Sequence, residues 1–436
     1  MADGKEIIEK QTKLIVPSTT KGRYQVVIVE GRGALLKDAD GKEYIDLHAG
    51  YATVNLGHCH PRVVQAIKDQ AEKIWHVSWD FYLVPTALLA EKLIEITPKK
   101  LRKVLFCSCG AEAVENAVKF AKKFVVKSMG KTGAQIISLA GSFHGRTSYA
   151  MALTGQKKYK DGLGTYVHPF VVHAPSPYCY RCPFGMKHPD CGLYCVDYLE
   201  DLIKFHTFGD VAAFISEPIM GEGGIIIPPD DYLSKVVKKL RDHEILYIAD
   251  EIQTGFCRTG KMFAVEWYGV EPDIMTVGKG IASGLPIAAT LISDEISEVL
   301  SPIDHCSTYG GNALVCAAGL ENIKILMEER YDERALKLGS LFLERLKEIA
   351  ERQEMIGDVR GKGLMIGVEL VKDKEKKVPA PDLAEAVRLE AQKRGVLLNT
   401  GGVHGCVLRI QPPIAITEEQ AERALNVIED SMRAVR

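Results

Sequence analysis

Three features of this sequence predict an α/β fold, in which a mostly parallel, doubly wound sheet is joined by a smaller α+β unit. From about Pro61 to Glu329, short apolar runs alternate with helical patterns, and such alternation builds parallel sheets covered on both faces. Two of those runs end on chemistry: 245–250 closes on Asp250, and 273–277 is followed at once by Gly278-Lys279-Gly280. Beyond the helical stretch 336–352 the pattern changes to strands and a final helix, the mark of a separate α+β unit.

Taken in order, the first sixty residues read as strand-rich. Segments 24–30 and 34–38 alternate or run apolar, and Asp40-Gly41 is a hairpin signal before the strand 42–47. Strands are expected next at 103–107, 135–139, 211–215, 245–250 and 273–277. The first of these feeds a helix whose apolar face runs Ala113, Ala117, Phe120, Ala121, Phe124. Toward the C-terminus, 363–370, 396–399 and 407–411 read as strands, and Thr417 with Gln420 forms a capping box opening the last helix. The expected organisation is an N-terminal segment 1–60 belonging to a small domain, a large domain 61–329, and a C-terminal small domain 330–436.

Composition narrows the function classes. With 436 residues, 46% hydrophobic, 26% charged and a net charge of -2, the chain has room for a large core and no basic excess for nucleic acid. The N-terminus is charged and lacks an apolar signal core, and no apolar run approaches membrane-spanning length. Eleven cysteines without a secretory signal point to a reducing compartment, with the cytoplasm as the default.

Open α/β sheets place their chemistry at the carboxyl ends of strands, so Asp250 and Lys279 are expected in one crevice. An acid and a lysine held together suit pyridoxal phosphate: the lysine forms a Schiff base, and the acid keeps the pyridine nitrogen protonated. A salt-bridged pair at strand ends accounts equally well for the spacing. A phosphate needs backbone N–H groups where a strand turns into a helix, and Ser108-Cys109-Gly110-Ala111-Glu112 offers such a turn. Phe143, flanked by small residues after another strand, suits stacking on a planar ring or filling the core.

The ordered set of motifs resembles the class III (ω-amino acid type, 4-aminobutyrate/ornithine aminotransferase-like) pyridoxal-phosphate aminotransferases over nearly the whole chain. It comprises Asn55-Leu56-Gly57-His58, Cys109-Gly110-Ala111-Glu112, Phe143-His144-Gly145-Arg146-Thr147, Glu217-Pro218-Ile219-Met220-Gly221-Glu222, Asp250-Glu251-Ile252-Gln253-Thr254-Gly255, Arg258-Thr259-Gly260, Lys279, Ser307-Thr308-Tyr309-Gly310-Gly311-Asn312, Arg360-Gly361-Lys362-Gly363 and Leu408-Arg409-Ile410-Gln411. The resemblance implies the aspartate-aminotransferase-like fold, a pyridoxal 5'-phosphate cofactor, and a homodimer or higher oligomer with shared sites. It makes Lys279 the Schiff-base lysine and proton shuttle, and Asp250 the partner of the pyridinium. Gln253 reaches the ring hydroxyl, Phe143 and Ile252 cover the two ring faces, and His144 adjoins the cofactor. The turn Cys109, Gly110, Ala111 holds the phosphate, joined by Thr308 from the neighbouring subunit. Where the family carries Ser-Gly-Thr or Ser-Gly-Ser, this chain has Cys109-Gly110-Ala111; one lost hydroxyl is a change on the order of 1 kcal/mol.

For substrate, the resemblance makes Arg409 the arginine that forks onto the α-carboxylate of a 2-oxo acid such as 2-oxoglutarate. Glu222 is the glutamate that masks it when an ω-amino acid binds, Arg146 the binder of a distal carboxylate, and Tyr51 a pocket residue seating the donor's far end. Each also admits a static structural role. Two other outcomes use similar scaffolds, class III amino-acid racemases and dialkylglycine decarboxylases; the position of the decarboxylases' active-site glutamine is Tyr51 here. A non-enzymatic binding protein is disfavoured because no motif group is missing. Apart from these motifs, Cys179, Cys182, Cys191 and Cys195 show C-x2-C-x8-C-x3-C spacing, which suits a structural zinc, an iron–sulfur cluster or packed thiols. Catalysis in this family needs no metal. His58 and His60 read as structural.

Overall fold

The computed structural model describes residues 4–18, 22–132, 134–163 and 170–435. Near the N-terminus β1 (Ile28–Arg32), β2 (Leu35–Asp38) and β3 (Glu43–Asp46) form an antiparallel meander. The β2–β3 hairpin turns at Gly41, whose φ of 86° favours glycine. Seven strands follow in the central sheet: β4 (Lys103–Cys107), β5 (Gln135–Leu139), β6 (Val171–Ala174), β7 (Val211–Ser216), β8 (Leu246–Asp250), β9 (Ile274–Val277) and β10 (Ala288–Ile292). Their order is β4-β10-β9-β8-β7-β5-β6. The pairs from β9 through β6 are parallel, and β10 lies antiparallel between β4 and β9.

Residues on β5 and β7 to β10 are buried on both faces, which is why these strands read as continuous apolar runs. Two strands of this sheet escape the sequence reading. The edge strand β6 is half-buried and carries a histidine, so it has no apolar run. The stretch forming β10 is apolar, but its reversed direction leaves no trace in periodicity.

C-terminal to the helix Tyr331–Arg352 come β11 (Ile356–Lys362), β12 (Met365–Asp373), β13 (Val378–Pro379), β14 (Val396–Leu397), β15 (Asn399–Gly401) and β16 (Val407–Ile410). An antiparallel sheet runs β11-β12-β16-β15, with β13 on β12. The single strand expected at 396–399 is two: β14 leaves this sheet and pairs in parallel with β3. Thr417 caps the last helix, Glu418–Ala434, in the expected box with Gln420. Among the described residues no helix is long and apolar enough to cross a membrane.

The four-cysteine segment is fastened to β12, where Arg181 pairs with buried Glu369 at 2.5 Å and Tyr178 donates its hydroxyl to the same carboxylate. All four thiols are free and line one small cavity with Phe184 and Tyr194. Burial, then the neighbouring thiols, pushes Cys195 up to about 12 and raises Cys179. Among the described residues no three His, Cys, Asp or Glu side chains are arranged to hold a metal ion.

Candidate active site

The carboxyl ends of five strands converge. β4 leads to Cys109, β5 to Phe143, β7 to Glu217, β8 ends on Asp250, and β9 is followed by Lys279. This is the crevice expected of an open α/β sheet. Lys279 is half-buried and begins a short 3-10 turn, Lys279–Ile281, with φ of 42°. Left-handed backbone is uncommon for a non-glycine residue and marks a position held by its surroundings. Burial lowers the amine to about 8; Glu217 and Asp250 pull it back up, and Arg409 opposes them. These charges therefore act on one amine.

Asp250 is buried and held by three hydrogen bonds. Its Oδ2 accepts from His144 Nδ1 at 2.7 Å, while Oδ1 accepts from the Thr276 hydroxyl and the Ile252 N–H, each at 3.1 Å. The His144 Nε2 is buried without a hydrogen-bond partner among the described residues. Two residues on, Gln253 donates to the Tyr51 carbonyl at 3.3 Å and accepts from Gln411 at 3.4 Å. Gly221 permits this placement, because a Cβ there would lie 1.7 Å from Gln253 Oε1.

At the strand–helix turn, Cys109 is exposed and caps the helix Gly110–Met129 with no side-chain hydrogen bond. The first N–H groups of a helix have no internal partner and favour an anion. A Cβ at Gly110 would meet Ile252 Cδ1 at 2.9 Å, so Ile252 and the turn border the same space. The methyl of Ala111, standing where the family has a hydroxyl, packs against Gly145 in the Phe143–Arg146 loop; a Cβ on Gly145 would sit 2.8 Å from it.

Substrate-side candidates gather as well. Arg409, on β16, is 1% exposed, and its Nη1 lies 2.6 Å from Glu222 Oε2. Its guanidinium is 5.8 Å from the centre of the Tyr51 ring. Arg146 is exposed and stacks on Tyr159 at 4.7 Å; Phe143 meets the same ring edge-on at 5.2 Å. Thr308 is exposed on the loop before Gly310.

Several members were not singled out from sequence. Glu217 accepts from the Phe143 N–H at 3.0 Å and the Gly221 N–H at 2.8 Å, tying two site loops together. Burial raises its carboxyl to about 7, and Asp250 adds to the rise against His144. Its place at the end of β7, within a quoted motif, was the available signal. Gln411 likewise stood in a quoted motif, beside Arg409, whereas Thr276, Lys158 and Tyr159 carried no signal, since tertiary packing alone brings them here.

The residues present fit pyridoxal phosphate. A buried carboxylate is oriented by a histidine, a lysine that feels its charge shares the crevice, and a glycine turn opens a helix whose first N–H groups have no partner within the helix, where a Cβ would close the space. Comparisons with known proteins agree. The family described as aminotransferase class-III matches residues 17–432. A leucine/methionine racemase of Thermococcus litoralis is 39% identical over 99% of this chain and 96% of its own length. An acetylornithine aminotransferase of Methanocaldococcus jannaschii is 39% identical over 94% of both. Among solved structures, a PLP-bound amine transaminase from an uncultivated Pseudomonas species superposes with a TM-score of 0.92 at 31% identity, covering 97% of this chain and 99% of that one. The chain belongs to the class-III aminotransferases, a pyridoxal-phosphate-dependent family.

Proposed function

We propose that this enzyme moves an amino group from an ω-amino acid of the 4-aminobutyrate or ornithine kind to a 2-oxo acid such as 2-oxoglutarate. The observation that carries the reading is a low-pKa lysine and a histidine-braced aspartate sharing one crevice with a paired Glu222–Arg409. When bound, pyridoxal phosphate supplies an aldehyde carbon for the amino group and a ring that accepts electrons. Gly110 and Ala111, beside Cys109, would present N–H groups to the phosphate, and Phe143 and Ile252 would cover the ring. Gln253 would serve the ring hydroxyl. Asp250 would hold the ring nitrogen protonated, with His144 fixing the carboxylate's orientation.

Burial lowers the Lys279 amine and so favours its neutral form, which a base taking a proton from the carbon bearing nitrogen needs. Arg409 receives the α-carboxylate of the 2-oxo acid, and stays paired with Glu222 when the donor has none there. Arg146 takes the distal carboxylate, and Tyr51 lines the donor's path.

We read 61–329 as the large domain, with 1–60 and 330–436 forming the small one. A homodimer in which Thr308 completes the neighbour's phosphate site is supported by Thr308's exposure and by the uncovered Trp75, Phe81, Tyr82 and Tyr309. Eleven free thiols agree with the cytoplasm.

A second reading, racemisation, is favoured by the similarity to a racemase, because the two paths differ only in which carbon receives the proton. The test is a donor screen on cofactor-loaded enzyme with 4-aminobutyrate, ornithine, alanine and a branched amino acid. Cofactor absorbance converted by an ω-amino acid and restored by 2-oxoglutarate is the expected result. Unchanged absorbance with loss of optical rotation would replace it by racemisation, and carbon dioxide release by decarboxylation.

A further inference from the structure

The Glu222–Arg409 pair is lopsided. Although Arg409 Nη1 lies 2.6 Å from Glu222 Oε2, both Nη1 and Nε are buried without a hydrogen-bond partner among the described residues. The contact is one of charge, and much of the guanidinium fork remains unspent. Glu222, in contrast, is hydrogen-bonded from elsewhere through its other oxygen. Tyr159 donates its hydroxyl to Oε1 at 2.6 Å, and Lys158 donates to the same atom at 3.3 Å.

Burial raises the Glu222 carboxyl, but Arg409, Lys158 and Tyr159 outweigh it and hold it low. The Tyr159 hydroxyl is pushed far above its ordinary value, by burial first and then by Glu222, so it remains a donor. The tyrosine is itself braced by Arg146 across its face and Phe143 at its edge. Lys158 Nζ also reaches the carbonyl of Gly402, the residue after β15, at 3.4 Å. A Cβ at Gly401, the last residue of β15, would lie 2.6 Å from Arg409 Nε, so that strand leaves the guanidinium only a narrow slot.

Unmasking an arginine normally leaves its carboxylate buried and unpaired, which is costly. Here it does not, because the Oε1 partners do not depend on Arg409. We propose that Lys158 and Tyr159 determine specificity by retaining the Glu222 carboxylate while Arg409 turns to a substrate carboxylate. One crevice then accepts substrates with and without a carboxylate beside the reacting carbon. The inference rests on the reading of Arg409 as the carboxylate-binding group.

The test is equilibrium binding, so it stands apart from turnover. Calorimetry would measure the Kd of 2-oxoglutarate on the holoenzyme in the cofactor form that carries no amino group, which a 2-oxo acid occupies without reacting. Combined Lys158→Met and Tyr159→Phe substitution is expected to raise Kd about 10-fold. Lys158→Arg with Tyr159 intact is expected to restore most of the affinity. In a Glu222→Ala background the same double substitution is expected to change little.

An equal loss in that background would mean that Lys158 or Tyr159 binds the ligand directly or supports the fold, and would overturn the proposal. So would undetectable binding by the wild-type enzyme, or an unchanged Kd in the double variant. If the enzyme proves a racemase in the donor screen, the aminotransferase reading fails while this binding cycle still decides the role of the two residues.

Discussion

Replacing Lys279 by methionine should destroy activity and, in the cofactor-free protein, raise stability. The lysine's amine falls from the ordinary 10.5 to about 8, chiefly by burial. That displacement corresponds to about 3 kcal/mol against the folded state whenever the amine is charged in both states. Methionine is similar in length and carries no charge to desolvate. For a chain of 436 residues unfolding as one unit, this amounts to a rise in Tm of about 3–4 °C.

The pH dependence separates this effect from a gain in packing. Below pH 8 both folded and unfolded wild-type chains hold the proton, and the penalty is complete. Between 8 and 10.5 the folded amine is neutral while the unfolded one still binds a proton, so wild-type stability climbs toward that of the variant as pH rises. Above 10.5 the penalty is gone. Thermal melts of cofactor-free wild type and Lys279→Met, run side by side from pH 7 to 10.5, would show a gap that closes. Equal melting temperatures at pH 7, or a gap that persists at pH 10.5, would refute the reasoning.

Asp250→Asn keeps an acceptor for Thr276 and Ile252 but loses the charge that faces His144 and that is proposed to serve the cofactor ring. The cofactor should remain bound while single-turnover rates fall by about 10³-fold; near-normal rates would remove Asp250 from its assigned role. Arg258 is 0% exposed and donates to the Leu364 and Pro412 carbonyls and to Asn55 Oδ1. Arg258→Ala orphans three buried acceptors and should cost about 3 kcal/mol, read as a lower denaturant midpoint, and an unchanged midpoint would show that the site relaxes around the loss.

Legibility in the sequence followed locality. Asp250 and Lys279 stood out because a buried parallel strand is a continuous apolar run, and its carboxyl end is where such sheets do chemistry. The turn at Gly110 and the helix behind it were visible for the same reason. Substrate-side residues were different: Arg409 and Glu222 lie far apart in the chain, and only resemblance joined them. Glu217 was in view within a motif, yet its two backbone bonds to Phe143 and Gly221 are products of packing. Lys158 and Tyr159 follow a short helix, Ser148–Leu153, in a polar stretch without periodicity. β10 hid its direction and β14 its partner, since strand pairing is decided across hundreds of residues.

The pairing of β14 with β3 also orders events in time. Gln411 N–H meets the Leu47 carbonyl at 2.9 Å, and Ile414 N–H meets that of Asn55 at 2.8 Å, so the chain's beginning is closed by its end. On the ribosome, every strand of the central sheet, with Asp250 and Lys279, emerges before β14 and Arg409 exist. Non-local pairings of this kind form late and slowly. A nascent chain therefore reaches a stage at which the crevice holding Asp250 and Lys279 is made while Arg409, the proposed partner of a substrate carboxylate, is not. Until the final strands arrive, its first strands remain an open edge in search of a partner.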